Sequence, residues 1–240
     1  MHKFFTIPFL LLTIIESNLL LSQDYLFKKP SRDGIGKIYQ GREISKIMGH
    51  FGANWLERQS RSKEENPQLA VELLELKKNM VVADFGAGTG YFTSQLATRC
   101  SLVFAVDIQP EMILLNKKNM LSKNIQNVKY IINTPKDVKL PKNTIDMILL
   151  VDVYHELEFP YEVLKGMKNS LKSDGRIVLL EYRAEDPNVP IKPLHKMSKK
   201  QILKEYAANG FKLTIEFDKL PWQHMMFFGK DPEWKEKENQ

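Results

Sequence analysis

A chain of 240 residues, with 43% apolar and 27% charged residues, is long enough for one α/β domain with a sizeable core. Its formal net charge of +6 permits an anionic partner, but lysine and glutamate are interleaved, and no run of arginine with aromatic residues indicates a nucleic-acid groove. The single cysteine, Cys100, excludes an internal disulfide and a cysteine-based metal site. We therefore expect a globular protein and predict no nucleic-acid partner.

Residues 1–22 differ in composition from the rest of the chain. Lys3 precedes an apolar stretch over residues 4–21, which three polar residues interrupt, and Ser22 ends it. A charged start, an apolar core and a small final residue are typical of a signal peptide, although Leu20 is larger than the residue expected before the cut. The stretch also resembles a marginal membrane anchor or a buried helix. Export, membrane association through residues 4–21 and a cytoplasmic location therefore stay open.

Residues 23–78 show no alternation of apolar and polar residues that would indicate strands. Three glycines in residues 32–41 predict a loop, and residues 42–48 predict a short helix. Pro67 predicts the start of another helix, with Asn66 as its cap. We expect a lead-in of helices and loops that packs on the main domain.

From residue 79 onward, apolar runs alternate with helical segments. Continuous apolar strands between helices are typical of a parallel sheet that is covered on both faces. The last two strands have only a short connection, which predicts that they pair antiparallel. A polar tail follows over residues 231–240. The predicted strands cover residues 81–85, 102–106, 128–132, 145–151, 176–181, 211–217 and 224–229.

The first of these strands runs into a glycine-rich turn. Gly86, Gly88 and Gly90 alternate with other residues just before a predicted helix. Glycines allow a tight turn and a close approach of the backbone to a ligand, and the helix start supplies free N–H groups. Asp107 ends the second strand, where a carboxylate can accept hydrogen bonds from two ribose hydroxyls. These two strand ends predict one crevice for a nucleotide-like ligand.

The glycine spacing differs from the G-x-G-x-x-G of dinucleotide sites, because Tyr91 occupies the third glycine position. The pattern D-x-G-x-G-x-G, which begins at Asp84, resembles motif I of the class I S-adenosylmethionine-dependent methyltransferases. The resemblance covers residues 80–229 and implies a Rossmann-like, seven-stranded, mostly parallel sheet with an antiparallel last strand. The amino-acid sequence around residues 151–157 is similar to that of a poorly characterised bacterial subgroup of methyltransferases with signal-like N-termini. The resemblance implies that S-adenosyl-L-methionine is bound by Asp84, Gly86, Ala87, Gly88, Gly90, Asp107, Ile108, Asp137 and Asp152.

Polar groups follow the fourth strand of this sheet, which should end beside the cofactor. Methyl transfer is an in-line displacement that needs a closely held acceptor, and an acceptor protonated at neutral pH also needs a base. His155 is a candidate general base, with Glu156 to orient it or contact the acceptor and Tyr154 to line the pocket. Two other interpretations stay open. His155 only lines the pocket, or His155 and Glu156 cap the next helix or pair with each other.

Other residues are candidates for the walls of the same pocket. Glu181 and Tyr182 end the fifth strand and should face the crevice. His195 lies in a proline-rich loop that could cover the site, and the aromatic residues Tyr39, Phe51 and Trp55 of the lead-in could close over the cofactor. These side chains are predicted to surround the acceptor or the cofactor.

The sequence predicts no metal site. His155 and Glu156 are adjacent, so on a helix their side chains would point about 100° apart, and no H-E-x-x-H or His/Cys cluster occurs. The leading hypothesis is a methyltransferase that acts on a small-molecule or lipid acceptor. The alternatives are an NAD-dependent oxidoreductase and a relative that binds the cofactor without catalysis.

Overall fold

The computed structural model describes residues 25–235, and in this range the chain forms ten strands and seven α-helices. From β4 onward, strands and helices follow in the order that the sequence predicts. The strands are β1 Tyr25–Phe27, β2 Gly34–Tyr39, β3 Arg42–Ser45, β4 Val81–Phe85, β5 Leu102–Asp107, β6 Val128–Ile132, β7 Ile145–Val151, β8 Leu171–Tyr182, β9 Phe211–Phe217 and β10 Gln223–Lys230. The helices are α1 Ala53–Leu56, α2 Arg61–Glu64, α3 Pro67–Leu73, α4 Tyr91–Ala97, α5 Pro110–Ser122, α6 Pro160–Ser170 and α7 Lys199–Ala208.

Strands β4 to β10 form one sheet in the order β6-β5-β4-β7-β8-β10-β9. Neighbouring strands from β6 to β8 pair in parallel, whereas β10 runs antiparallel to both β8 and β9. The connection from β9 to β10 is too short for a crossover helix, which explains the antiparallel pairing. The predicted Rossmann-like sheet of seven strands with an antiparallel last strand is confirmed.

Helices cover both faces of this sheet, and each face has its own apolar cluster. Ile148 of β7 packs in the cluster on the side of α6 and α7, whereas Leu149 packs in the cluster on the side of α3 and α4. Successive strand residues point to opposite faces, so burial on both sides explains why β7 is apolar throughout.

Strand β8 begins earlier than predicted. The sequence predicts a turn at residues 173–175 and a strand from Arg176, whereas the strand extends from Leu171 to Tyr182. Its pairing with β7 shifts register between Ile145 and Met147, so the turn residues form an irregularity inside the strand.

The lead-in contains a three-stranded antiparallel sheet in the order β1-β2-β3. The predicted loop over residues 32–41 and the predicted helix over residues 42–48 are therefore wrong. Gln40 and Gly41, with φ of 49° and 94°, form the tight turn between β2 and β3. The strands are short and glycines interrupt the pattern of β2, so the alternation is too weak to recognise. The predicted helix start at Asn66 is confirmed, because its side chain accepts a hydrogen bond from the Leu69 N–H.

The predicted signal or anchor segment, residues 1–22, lies outside the described residues. Within residues 25–235, none of the helices is both long and apolar enough to cross a membrane. Export and membrane association through residues 4–21 stay predictions.

Candidate functional site

A cavity of about 430 Å³ lies at the carboxyl ends of β4, β5 and β7. Ligands bind at this edge in open α/β sheets, and the volume is typical of small-molecule sites. The glycine turn and the residues after β5 and β7 form its floor. Residues of the lead-in and of the loop before α7 complete the wall, among them Met48, Trp55, Leu56, Ile191 and His195.

Two glycines of the turn contribute directly to the cavity lining. Gly86 and Gly88 have φ of 76° and 50°, positive backbone angles that residues with a side chain rarely adopt. A Cβ on Gly86 would lie 2.5 Å from the Val153 side chain, and one on Gly88 would lie 2.6 Å from Leu56. The turn therefore fits tightly between the lead-in and the segment after β7. Ala87 and Gly90, also predicted to bind the cofactor, lie outside the cavity lining.

Asp107 lies where the sequence predicts, at the end of β5 and in the cavity lining with Ile108. Its carboxylate accepts hydrogen bonds from the backbone N–H groups of Gly88 and Gln109, both at 2.9 Å. Burial raises the pKa of Asp107, and these backbone donors only partly oppose the effect. The two donors fix the carboxylate at the edge of the glycine turn, and each oxygen keeps a further lone pair for a ligand.

Two further predicted cofactor residues, Asp84 and Asp137, also lie outside the cavity lining. Asp84 is buried and accepts a hydrogen bond from the Thr93 hydroxyl at 2.6 Å. Asp137 is exposed, and its carboxylate accepts a hydrogen bond from the Lys139 N–H. A turn from Thr134 to Asp137 directs that side chain outward, so a direct contact of Asp137 with the cofactor is not supported. Instead, Asn133, Thr134 and Pro135 line the cavity.

Asp152 follows β7 in a left-handed conformation, with φ of 52°, and lines the cavity. Its Oδ2 accepts a hydrogen bond from Gln223 at 2.7 Å, whereas its buried Oδ1 has no hydrogen-bond partner among the described residues. Burial raises the pKa of Asp152 strongly, and the charges of Glu65 and Glu181 add to the effect. Asp152 therefore belongs to the cavity lining and carries a buried carboxylate oxygen that is free to accept a hydrogen bond from a cationic or polar ligand group.

His155 is held in position by Glu181. Its Nδ1 lies 2.6 Å from Glu181 Oε2, and both side chains are buried. Burial lowers the pKa of His155, but the charge and hydrogen bond of Glu181 outweigh this, so the net shift is upward. Glu181, and not the predicted Glu156, is therefore the carboxylate hydrogen-bonded to His155, and the prediction that Glu156 contacts the acceptor stays open. Arg42 and Ser45 of β3 also fix His155, because both donate hydrogen bonds to its carbonyl oxygen.

The other ring nitrogen of His155 meets two more polar groups. His155 Nε2 lies 3.3 Å from His195 Nδ1 and 3.8 Å from Glu156 Oε1, and the last two atoms are 3.5 Å apart. All three residues line the cavity. The absence of a metal site was predicted from the adjacent positions of His155 and Glu156 and from the lack of a known metal-binding motif in the sequence. That reasoning fails, since the fold brings His195 to the same point.

Tyr154 points in another direction. Its side chain is fully buried in the core, and its ring centroid lies 5.1 Å from that of Tyr206 in α7. The short 3₁₀ turn over Tyr154–Glu156 separates these neighbouring side chains, so that the tyrosine enters the core while His155 faces the cavity. The prediction that Tyr154 lines the pocket is wrong. Tyr182 and Trp55 line the cavity as predicted, whereas Glu181, Tyr39 and Phe51 lie outside its lining.

Comparison with known proteins agrees with this geometry. Residues 76–236 match a family model described as a methyltransferase domain. The chain belongs to this methyltransferase family. Class I members use S-adenosyl-L-methionine, so the cofactor of this chain is S-adenosyl-L-methionine and not a dinucleotide.

Relatives of the methyltransferase carry different names. A probable cobalt-precorrin-6B C(15)-methyltransferase (decarboxylating) from Methanocaldococcus jannaschii is 27% identical over 177 residues, which cover 71% of this chain and 86% of that protein. A demethylmenaquinone methyltransferase from Tropheryma whipplei is 27% identical over 138 residues, covering 58% of this chain and 56% of that protein. The crystal structure of a SAM-dependent methyltransferase from Aquifex aeolicus has a TM-score of 0.71 and 20% identity, covering 76% and 98% of the two chains.

Three charged residues of the methyltransferase lie in the cavity wall although sequence reasoning gave them no role. Arg58, Arg61 and Glu65 come from the lead-in, and Glu65 forms ion pairs with both arginines at 2.5 and 2.7 Å. Tyr182 also donates a hydrogen bond to Glu65, at 2.7 Å. The signal in the sequence is the charged tract over residues 57–65, which contains all three residues.

Proposed function

We propose that the protein transfers the methyl group of S-adenosyl-L-methionine to a small-molecule or lipid acceptor that binds beside His155, Glu156 and His195. One observation carries the proposal. A single cavity is lined both by the cofactor motif around Asp107 and by this cluster of imidazole and carboxylate groups. A donor and an acceptor in one cavity are what an in-line displacement requires.

At the cofactor end, Asp107 would accept hydrogen bonds from the ribose hydroxyls and Asp152 Oδ1 from the ammonium of the methionine moiety. The paired backbone donors on Asp107 and the unpartnered buried oxygen of Asp152 support these roles. The bound cofactor supplies an electrophilic methyl group on a sulfonium. The cavity walls hold that group away from bulk water.

At the acceptor end, the imidazole–carboxylate cluster would bind the reactive heteroatom of the acceptor and promote loss of its proton. Glu181 supports this role because it fixes the His155 ring and leaves Nε2 facing the cavity. Glu156 accepts a hydrogen bond from the Met48 N–H, so its carboxylate is also held in place. A preorganised group of this kind costs little reorganisation during the reaction.

The wall of the cavity favours an acceptor that is partly apolar. Apolar side chains such as Ile47, Met48 and Ile191 line the wall beside the polar cluster. The relatives named for cobalt-precorrin-6B and for demethylmenaquinone further support small-molecule and lipid classes.

The test supplies the full chain with methyl-labelled cofactor and with separate metabolite, lipid, protein and nucleic-acid fractions. We expect label in a metabolite or lipid product. The variant Asp107→Asn should weaken S-adenosylhomocysteine binding about 10- to 100-fold, because it weakens charge-assisted hydrogen bonds. The variants His155→Gln and Glu156→Gln should keep this binding in calorimetry and lose most of the transfer.

Two results would overturn the proposal. Label found only in protein or nucleic acid would exclude the acceptor class. Normal S-adenosylhomocysteine binding, with transfer that His155→Gln and Glu156→Gln leave unchanged, would exclude the acceptor site. Titration with NADH is the control for the cofactor and should give no binding heat.

A further inference from the structure

Three potential metal ligands meet at one point of the cavity wall. His155 Nε2, Glu156 Oε1 and His195 Nδ1 form a triangle with edges of 3.3, 3.5 and 3.8 Å. Among the described residues, these three were found as a group whose donor atoms could hold one metal ion. They come from two segments that are far apart in sequence, the turn after β7 and the loop before α7.

The size of the triangle suits a transition metal. The point equidistant from its three corners lies about 2.1 Å from each, close to the zinc–nitrogen and zinc–oxygen bond lengths of about 2.0–2.2 Å. Two histidines and one carboxylate with an open position are also the ligand set of catalytic zinc sites. Hard cations such as Mg²⁺ prefer oxygen ligands, so two imidazoles disfavour them.

The residues behind the triangle support the same interpretation. Glu181 is buried and lies 2.6 Å from His155 Nδ1, which leaves Nε2 as the free ligand atom. A carboxylate behind a histidine is the usual outer-shell partner of a metal-binding imidazole. Glu156 is fixed by the Met48 N–H, and the carbonyl of His155 by Arg42 and Ser45. His155 and Glu156 are therefore held in place before any ligand binds.

We propose that His155, Glu156 and His195 bind one Zn²⁺ ion, whose open coordination position faces the cavity. The inference rests on the proposed function only for what that position does: it would bind the thiol or hydroxyl of the acceptor. Coordination lowers the pKa of such a group, so the acceptor proton leaves to solvent and the metal-bound heteroatom becomes the nucleophile. His155 is then a ligand and not the general base.

Metal binding is tested on the full chain after treatment with a chelator. Zn²⁺ is titrated by calorimetry, and bound zinc is counted by elemental analysis after desalting. We expect one Zn²⁺ per chain in the wild type and no binding of Mg²⁺. Co²⁺ in place of Zn²⁺ should give the visible absorption of a low-coordinate site with nitrogen ligands.

Variants locate the ion. His195→Ala and Glu156→Gln should each weaken Zn²⁺ binding about 100-fold or more, because each removes one of three ligands. His50→Ala is the matched control, since His50 lies outside the cavity lining, and it should bind zinc like the wild type. Glu181→Gln should weaken binding about 10- to 100-fold and shift the Co²⁺ spectrum, as expected for a positioning residue.

The outcomes separate this site from the proposed function. Absence of stoichiometric zinc in the wild type, or equal zinc binding by His195→Ala and His50→Ala, would overturn the metal site. Methyl transfer by the zinc-free protein would contradict the proposed role of the ion and leave His155 as the candidate base. Stoichiometric zinc lost in His195→Ala, without methylation of any metabolite or lipid, would support the metal site and contradict the proposed function.

Discussion

The carboxyl group of Asp84 is buried beside the glycine turn, and none of residues 25–235 forms an ion pair with it. Its side-chain hydrogen bond within this range comes from the Thr93 hydroxyl. Burial raises the pKa of Asp84 to about 6, and the bond from Thr93 only partly opposes the shift. Ionisation of Asp84, near the end of β4, therefore destabilises the folded state.

The raised pKa of Asp84 predicts how the free energy of unfolding depends on pH. An acid whose pKa is higher in the folded state keeps a proton that the unfolded chain releases, so stability falls as pH rises from about 4 to above 6. The full effect is about 3 kcal/mol. Asp84→Asn cannot ionise and can still accept the bond from Thr93. We expect this variant to be about 1–3 kcal/mol more stable than the wild type at pH 8, and nearly equal at pH 4.

Urea unfolding at both pH values, without cofactor, measures this difference. Asp174→Asn is the control, because Asp174 is exposed and far from the turn, and it should leave the pH dependence unchanged. An Asp84→Asn variant whose stability falls with pH as steeply as that of the wild type would contradict the explanation.

At the scale of elements, the hairpin of β2 and β3 is fastened to the sheet domain by a buried ion pair. Arg42 donates two hydrogen bonds to the Glu205 carboxylate of α7, at 2.8 and 3.0 Å, and both side chains are almost fully buried. The same guanidinium donates to the carbonyl of His155 at 3.0 Å. The hairpin therefore positions the turn that carries the candidate site.

Removal of this arginine should destabilise the whole protein. Arg42→Ala leaves Glu205 buried with Gln201 as its remaining side-chain donor, which should cost about 3–5 kcal/mol in urea unfolding. The double variant Arg42→Met/Glu205→Leu should recover most of the loss, because it buries no unpaired charge. Lys28→Ala in the same lead-in should cost less than about 1 kcal/mol, since Lys28 is half exposed and Glu43 keeps two backbone donors. Equal losses for Arg42→Ala and Lys28→Ala would contradict this assignment.

The hairpin of β2 and β3 is one of the elements that could not be predicted from the sequence. The strands of the main sheet were predictable because long apolar runs such as β7 leave little choice of structure. The cofactor motif was predictable because glycine spacing and Asp107 depend on local geometry. Strands β1 to β3 pair only with one another and are short, so their pattern is weak. The contact of His155 with His195 depends on how two distant segments pack, which no local pattern encodes.

At the scale of the whole molecule, the cavity belongs to no single part of the chain. The sheet provides its floor through Gly86, Asp107 and Asp152, whereas the lead-in and the loop over residues 190–195 provide its wall. The glycine turn and Asp107 therefore form only one part of the cavity lining. The identity of the acceptor depends on the wall, whose residues the family motif does not specify.

Trp55 of the lead-in can report on closure of this cavity. Its indole lies in the wall, is 45% exposed, and stacks 3.8 Å from the Arg58 guanidinium. A bound cofactor should exclude water from the exposed face of this ring and shift its fluorescence to shorter wavelength. In a titration with S-adenosylhomocysteine, we expect Trp55→Phe to lose most of the fluorescence change while calorimetry still detects binding. Trp234→Phe is the matched control and should keep the change, because Trp234 packs on Lys168 outside the cavity lining. A fluorescence change of full size in Trp55→Phe would show that the indole of Trp55 does not report on the bound cofactor and would contradict this prediction.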